Sequence, residues 1–144
     1  MTDAHDAIRR LHTRLVDARE GYAEGIELAD SPDMVVLFRE LHDLHDTHAR
    51  ALEAAMTTAG RPLDGGGSLM AEVHKAVLTV RSAVTGLAEN AIPSIRDGEK
   101  RILSSYDDTI AALPADDPLS ALVEAQRETL AHRVALLDYR GADA

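Results

Sequence analysis

The stretch PDMVVLFRELHDLHDTHARALEAAMTTA, Pro32 to Ala59, decides the fold. Stepped at about 100° per residue, Met34, Leu37, Phe38, Leu41, Leu44, Leu52, Ala55 and Met56 share one side, so the spacing predicts a long amphipathic helix. His45 and His48 fall inside that apolar stripe. A polar group buried without a hydrogen bond or a metal costs roughly 2–7 kcal/mol, so two core-facing imidazoles require partners elsewhere in the chain. Glu99 is the candidate. In Leu87 to Leu113 it lies on the stripe of Ala91, Ile92, Ile95, Ile102, Tyr106, Ile110 and Leu113, near the midpoint.

Outward from this stretch the chain reads as further helices. A first helix is expected from Thr2 or Asp3 to about Asp30, on the spacing of Ile8, Leu11, Leu15, Ala18, Tyr22, Ile26 and Ala29. Ser31-Pro32 then supplies a capping hydroxyl and a residue with no amide to leave unpaired, so the first two helices form a tight antiparallel hairpin. Gly60 suits a left-handed cap, and Arg61 to Gly67 reads as a loop. A shorter helix follows from Ser68, with Leu69, Val73, Val77, Val80 and Val84 as its stripe, ending near Thr85-Gly86. The next runs from about Leu87 to Leu113, where Pro93 fits only in the first turn or at a kink. Pro114 to Asp117 make the last loop. Asp117-Pro118 repeats the start signal for a helix that turns Leu119, Leu122, Val123, Gln126, Leu130, Val134 and Leu137 inward, and Gly141 to Ala144 is expected to fray.

The connection from Gly60 to Gly86, about 27 residues, is long enough to cross a bundle from end to end, which makes the helices on either side of it parallel. The expected fold is therefore all-α: a ferritin-like four-helix bundle with a long crossover containing a short extra helix, one domain over residues 1–144. The length of 144 residues suits a single core, and a composition of mostly Ala, Leu, Ile and Val with four aromatics suits closely packed helices.

A formal charge of −10 opposes nucleic acid and anionic membrane surfaces as partners. No apolar run approaches the roughly 18 residues of a bilayer span, and the start at Met1 to Asp6 lacks the features of a signal peptide, so a cytoplasmic location is expected. With no cysteine, thiolate ligands, disulfides and thiol nucleophiles are excluded, and any metal must be held by imidazole and carboxylate. No Ser-His-Asp signature points to nucleophilic catalysis, and no enzymatic activity is assigned.

Equal counting from the turn at Ser31 places His48 opposite about Arg14 and His45 opposite about Asp17, with His12 and Arg19 flanking. Counting from the last turn puts Glu99 level with His132, with Thr129 one turn away. Gln126, Thr129 and Arg133 lie on or near the last helix's stripe, while His132 lies off it and ranks as a fourth candidate. One expectation is thus a transition-metal site for iron, zinc or manganese formed by His45, His48, Glu99 and His132. The other is a metal-free structural or interaction bundle in which neutral histidines bond to Glu99, Gln126, Thr129 or Arg19 and fix helix register. His42 rotates towards solvent, and His5 and His74 read as flank or surface positions. Tyr22, Phe38 and Tyr106 read as core packing, a tyrosine hydroxyl being able to reach the polar layer. Self-association into a homo-oligomer is expected.

Glu20-Gly21-Tyr22, Gly67-Ser68-Leu69 followed by His74-Lys75, and Gly98-Glu99 with Tyr106 downstream resemble a bacterial ferritin-like four-helix-bundle family catalogued as a domain of unknown function. More distantly, Leu37 to Leu41 through His45-Asp46-Thr47-His48-Ala49-Arg50 is similar to the second helix of rubrerythrin-type proteins, which carries Glu-x-x-His. That resemblance implies a di-iron centre built from two lone glutamates and two such pairs. Glu99 and His48 match the pattern. His45 stands where the pair's carboxylate would be, Gln126 and Thr129 replace the last helix's pair, and Glu20 lies off the first helix's stripe, so a standard ferroxidase centre is not expected.

Overall fold

The computed structural model describes residues 3–63 and 91–143. Four helices occupy them: α1 (Ala4–Leu28), α2 (Pro32–Thr58), α3 (Ile92–Ala112) and α4 (Pro118–Asp143). Local chemistry explains most of their ends. The Ser31 hydroxyl accepts from the Met34 amide at 3.2 Å, and Asp117 Oδ1 accepts from the Leu119 amide at 2.9 Å, each answering an amide that the first turn leaves free. Gly60 takes a φ of 76° past the end of α2. Its amide bonds to the Thr57 carbonyl and that of Arg61 to the Met56 carbonyl, the paired closure that favours glycine at this position.

Helix α3 is described from Ile92, with Pro93 in its first turn; the expected start at Leu87 lies outside the described residues. Helix α4 continues to Asp143, through residues expected to fray. The expected short helix at Ser68 to Gly86, and His74 with it, lie outside the described residues.

Two apolar clusters fill the bundle. At one end Ile8, Leu11 and Leu15 of α1 pack with Leu52 and Met56 of α2, Ile102 and Tyr106 of α3, and Val123 and Leu130 of α4. At the other, Tyr22 meets Met34, Phe38 and Leu41, Ile92 and Ile95, and Leu137. The start of α2 thus shares an end with the start of α3, and their later turns share the other. Those two helices run parallel, and α1 and α4 run opposite to both. No strand occurs among the described residues.

Candidate functional site

Between the two clusters lies a polar layer. His45 and Glu99 are fully buried, and His48 and Gln126 nearly so. His45 Nε2 sits 2.9 and 2.8 Å from the two Glu99 carboxylate oxygens. Tyr22 stacks on the His45 ring with centroids 6.0 Å apart and planes 10° apart. Burial, and then the charge of Glu99 with its pull on the phenolic hydrogen, raise the Tyr22 hydroxyl well above its ordinary range. Carboxylate oxygens accept, so in this contact His45 is the donor, through Nε2–H. Its other nitrogen, Nδ1, is buried and has no hydrogen-bond partner.

His48 belongs to a second set whose proton positions follow from one fixed acceptor. Its backbone carbonyl accepts from Gln126 Nε2 at 3.2 Å, which turns the Gln126 amide oxygen towards Tyr106. The Tyr106 hydroxyl donates to that oxygen at 2.9 Å. Having one hydrogen, the hydroxyl must accept from His48 Nδ1, 3.2 Å away. His48 therefore carries its proton on Nδ1, which leaves Nε2 with a lone pair. Burial, followed by the charge of nearby His45, holds the His48 ring down at about 4, against a usual 6.5. It is neutral at physiological pH. Burial and then Glu99 push the Tyr106 hydroxyl above its ordinary value, so it stays a donor.

The structure brings His45 and Glu99 together as the wheel predicts, with His48 one turn on and bonded through Tyr106 to Gln126. It does not bring His132 there, since that side chain is exposed on α4. Thr129, expected near the stripe, is also exposed and donates to the Ala125 carbonyl of its own helix. Arg133 reaches outward to Glu40 at 2.9 Å. On the other seam Arg19 bonds to Asp46 at 3.0 Å and leaves the histidines alone. His12, buried at 4% exposure, meets Glu53 at 2.8 Å, a pair the sequence does not announce. Both contacts lie about one turn further along α2 than equal counting from Ser31 places them. Side chains lean towards the N-terminus of their own helix, and in an antiparallel pair both leans move the contact that way.

Residues 3–112 match the family described as Domain of unknown function (DUF2383). The chain belongs to that family. The match spans about three quarters of its 144 residues, so His45, His48, Glu99 and Tyr106 fall within the DUF2383 region, whereas Gln126 and His132 lie beyond it. No curated protein and no solved structure matches the chain.

The described residues of this DUF2383 chain do not supply the ligands of a di-iron centre. Such centres draw carboxylates from every helix, and Glu99 is the one buried carboxylate among the described residues. Glu20 and Glu128 are exposed. Nor do three His, Asp or Glu side chains gather as donors to one ion among the described residues. What the layer does offer is two core imidazoles, each hydrogen-bonded through one nitrogen, with His45 Nδ1 buried and without a hydrogen-bond partner.

Proposed function

We propose that the bundle, ferritin-like in connectivity, holds one transition-metal ion, iron, zinc or manganese, on the open nitrogens of His45 and His48. The observation that carries the reading is His45 Nδ1, fully buried without a partner. Metal-binding histidines are commonly prepared this way, the far N–H being held by a carboxylate or another acceptor that fixes the tautomer. Glu99 and Tyr106 would have that role, so Glu99 supports a donor where the sequence expectation made it one. His132 takes no part, and water or a small molecule would complete the shell. The reading stops at binding and assigns no reaction. It includes a homo-oligomer, for which exposed Val36, Leu136 and Tyr139 flank the Glu40–Arg133 pair on the α2–α4 seam. A cytoplasmic location belongs to the same proposal. Among the described residues no helix is long and apolar enough to cross a membrane.

A second reading is a metal-free structural or interaction bundle whose polar layer sets register. It is favoured by the closed His48–Tyr106–Gln126 set, which ties α2, α3 and α4 and needs no ion.

Thermal unfolding of tag-free protein with zinc, iron(II) and manganese(II) separates the two. Binding predicts a gain of about 2.7 kcal/mol at a hundredfold excess over Kd. The double variant His45→Gln, His48→Asn keeps an N–H at each donating position and deletes both open nitrogens, so it should fold and lose the response. No shift of the wild type with any of the three ions would remove the metal reading and leave the scaffold.

A further inference from the structure

Away from the polar layer, a cavity of about 530 Å³ opens along the α1–α3 seam. Its volume lies within the range of small-molecule pockets, roughly 300–1,000 Å³. Arg10 and Arg14, one turn apart on α1, line one side. Ser105, Asp108 and Thr109 of α3 line the other, and Leu11 with small alanines makes the floor. Arg101 extends the α3 stripe by one turn beyond Ser105, and on an antiparallel seam where the Thr109 hydroxyl reaches the Ala7 carbonyl it falls at about the height of Arg14.

Charge distinguishes this seam. The chain carries 25 acidic against 15 basic residues, and away from this seam most described arginines are claimed by carboxylates, Arg19 and Arg50 by Asp46, Arg127 by Asp107, Arg133 by Glu40, with Arg39 and Arg61 as exceptions. Arg10, Arg14 and Arg101 hold no carboxylate among the described residues, although Asp108 stands at the same cavity. The neighbouring hydroxyls are spent locally, Thr109 donating to the Ser105 carbonyl at 2.8 Å and Ser105 to the Arg101 carbonyl at 3.3 Å. Recognition of a ligand therefore falls to the guanidiniums. The lining carries two positive charges against one negative, with Arg101 a third positive charge beyond it and Asp6 and Asp17 on the far side of Arg10 and Arg14, and guanidinium forks match phosphate oxygens in pairs. The apolar floor would take an organic group. A phosphate of a nucleic-acid backbone is a poor occupant, because the −10 charge of the whole chain repels a polyanion.

We propose that the α1–α3 groove is a binding site for a small organic phosphate monoester, held by Arg10 and Arg14 with Arg101 at its end. The inference is independent of any metal in the core. The test is titration of the full chain with phenyl phosphate, followed by amide chemical shifts, with phenol, inorganic phosphate and sodium chloride at equal ionic strength as parallel arms. Saturating shifts confined to about residues 7–14 and 101–112 are expected with phenyl phosphate, and only weak ones with phenol or phosphate alone. The double variant Arg10→Gln, Arg14→Gln should weaken binding tenfold or more at an unchanged melting temperature. Arg39→Gln, an exposed arginine on α2, should leave it intact. Shifts no larger than those from chloride, equal binding of inorganic phosphate, or an unaffected double variant would each overturn the proposal.

Discussion

At the scale of single residues, the strongest constraint is that His48 must stay neutral. In the folded chain its ring is held down to about 4, whereas in an unfolded chain it takes up a proton near 6.5. Between those values the unfolded state binds more protons, so stability rises with pH across the window and is lost as pH falls through it. A depression of this size corresponds to about 3 kcal/mol at most. Urea unfolding between pH 7 and pH 4.5 should therefore show a steeper loss for the wild type than for His48→Asn, which keeps the N–H facing Tyr106 but does not titrate. Parallel profiles would mean that the ring is not buried in its neutral form. Tyr106 gives a second residue-scale expectation, because its hydroxyl accepts from His48 and donates to Gln126 at once. Tyr106→Phe strands both partners in the core. Each unsatisfied group costs about 1–3 kcal/mol, so a loss of about 2–6 kcal/mol is expected in chemical denaturation, and a loss under 1 kcal/mol would deny the network its role.

At the scale of elements, two helical glycines make opposite predictions. A Cβ on Gly25 of α1 would meet Phe38 ring carbons at 3.3 Å, and that ring is itself fully buried against Tyr22. Gly25→Ala gains about 1 kcal/mol of helix propensity but overpacks a site with little room, at about 1–3 kcal/mol. Net destabilisation is expected. Gly98 of α3 has nothing within 4 Å of such a Cβ, so Gly98→Ala should stabilise by up to about 1 kcal/mol. Melting curves that moved the same way for both would refute the packing argument. The same contrast between local and tertiary causes marks what the sequence discloses. Ser31, Gly60 and Asp117 end helices through bonds to their own neighbours, so those ends are readable from the chain alone. The His45–Glu99 pair is readable because both lie on apolar stripes near helix midpoints. His12–Glu53 is not, since it depends on how far side chains lean along an antiparallel seam. Thr129 misleads because the buried line of α4 runs Val123, Gln126, Leu130, Val134, Leu137 and drifts away from it. Tyr106 reads as packing until the Gln126 amide is oriented by a backbone carbonyl.

At the scale of the whole molecule, direction is the property that ties these elements into one architecture. Two antiparallel hairpins, α1–α2 and α3–α4, can join so that α2 and α3 run either way, and loop length alone does not choose. The contacts do. His45 faces Glu99 and, further along both helices, His48 faces Tyr106; partner numbers that increase together require parallel axes. This is testable at modest cost, because the sequence contains no cysteine to remove before site-specific labelling. Asp33, Ser94 and Asp108 are exposed, the first two near the starts of α2 and α3 and the third near the end of α3. Ser94 and Asp108 are separated along α3 by about 21 Å of helical rise. Cysteine pairs 33/94 and 33/108 carrying spin labels should therefore give the shorter separation for 33/94. The reverse order would make α2 and α3 antiparallel, break the alignment of His45 with Glu99, and remove the common layer on which the metal reading and the register reading both depend.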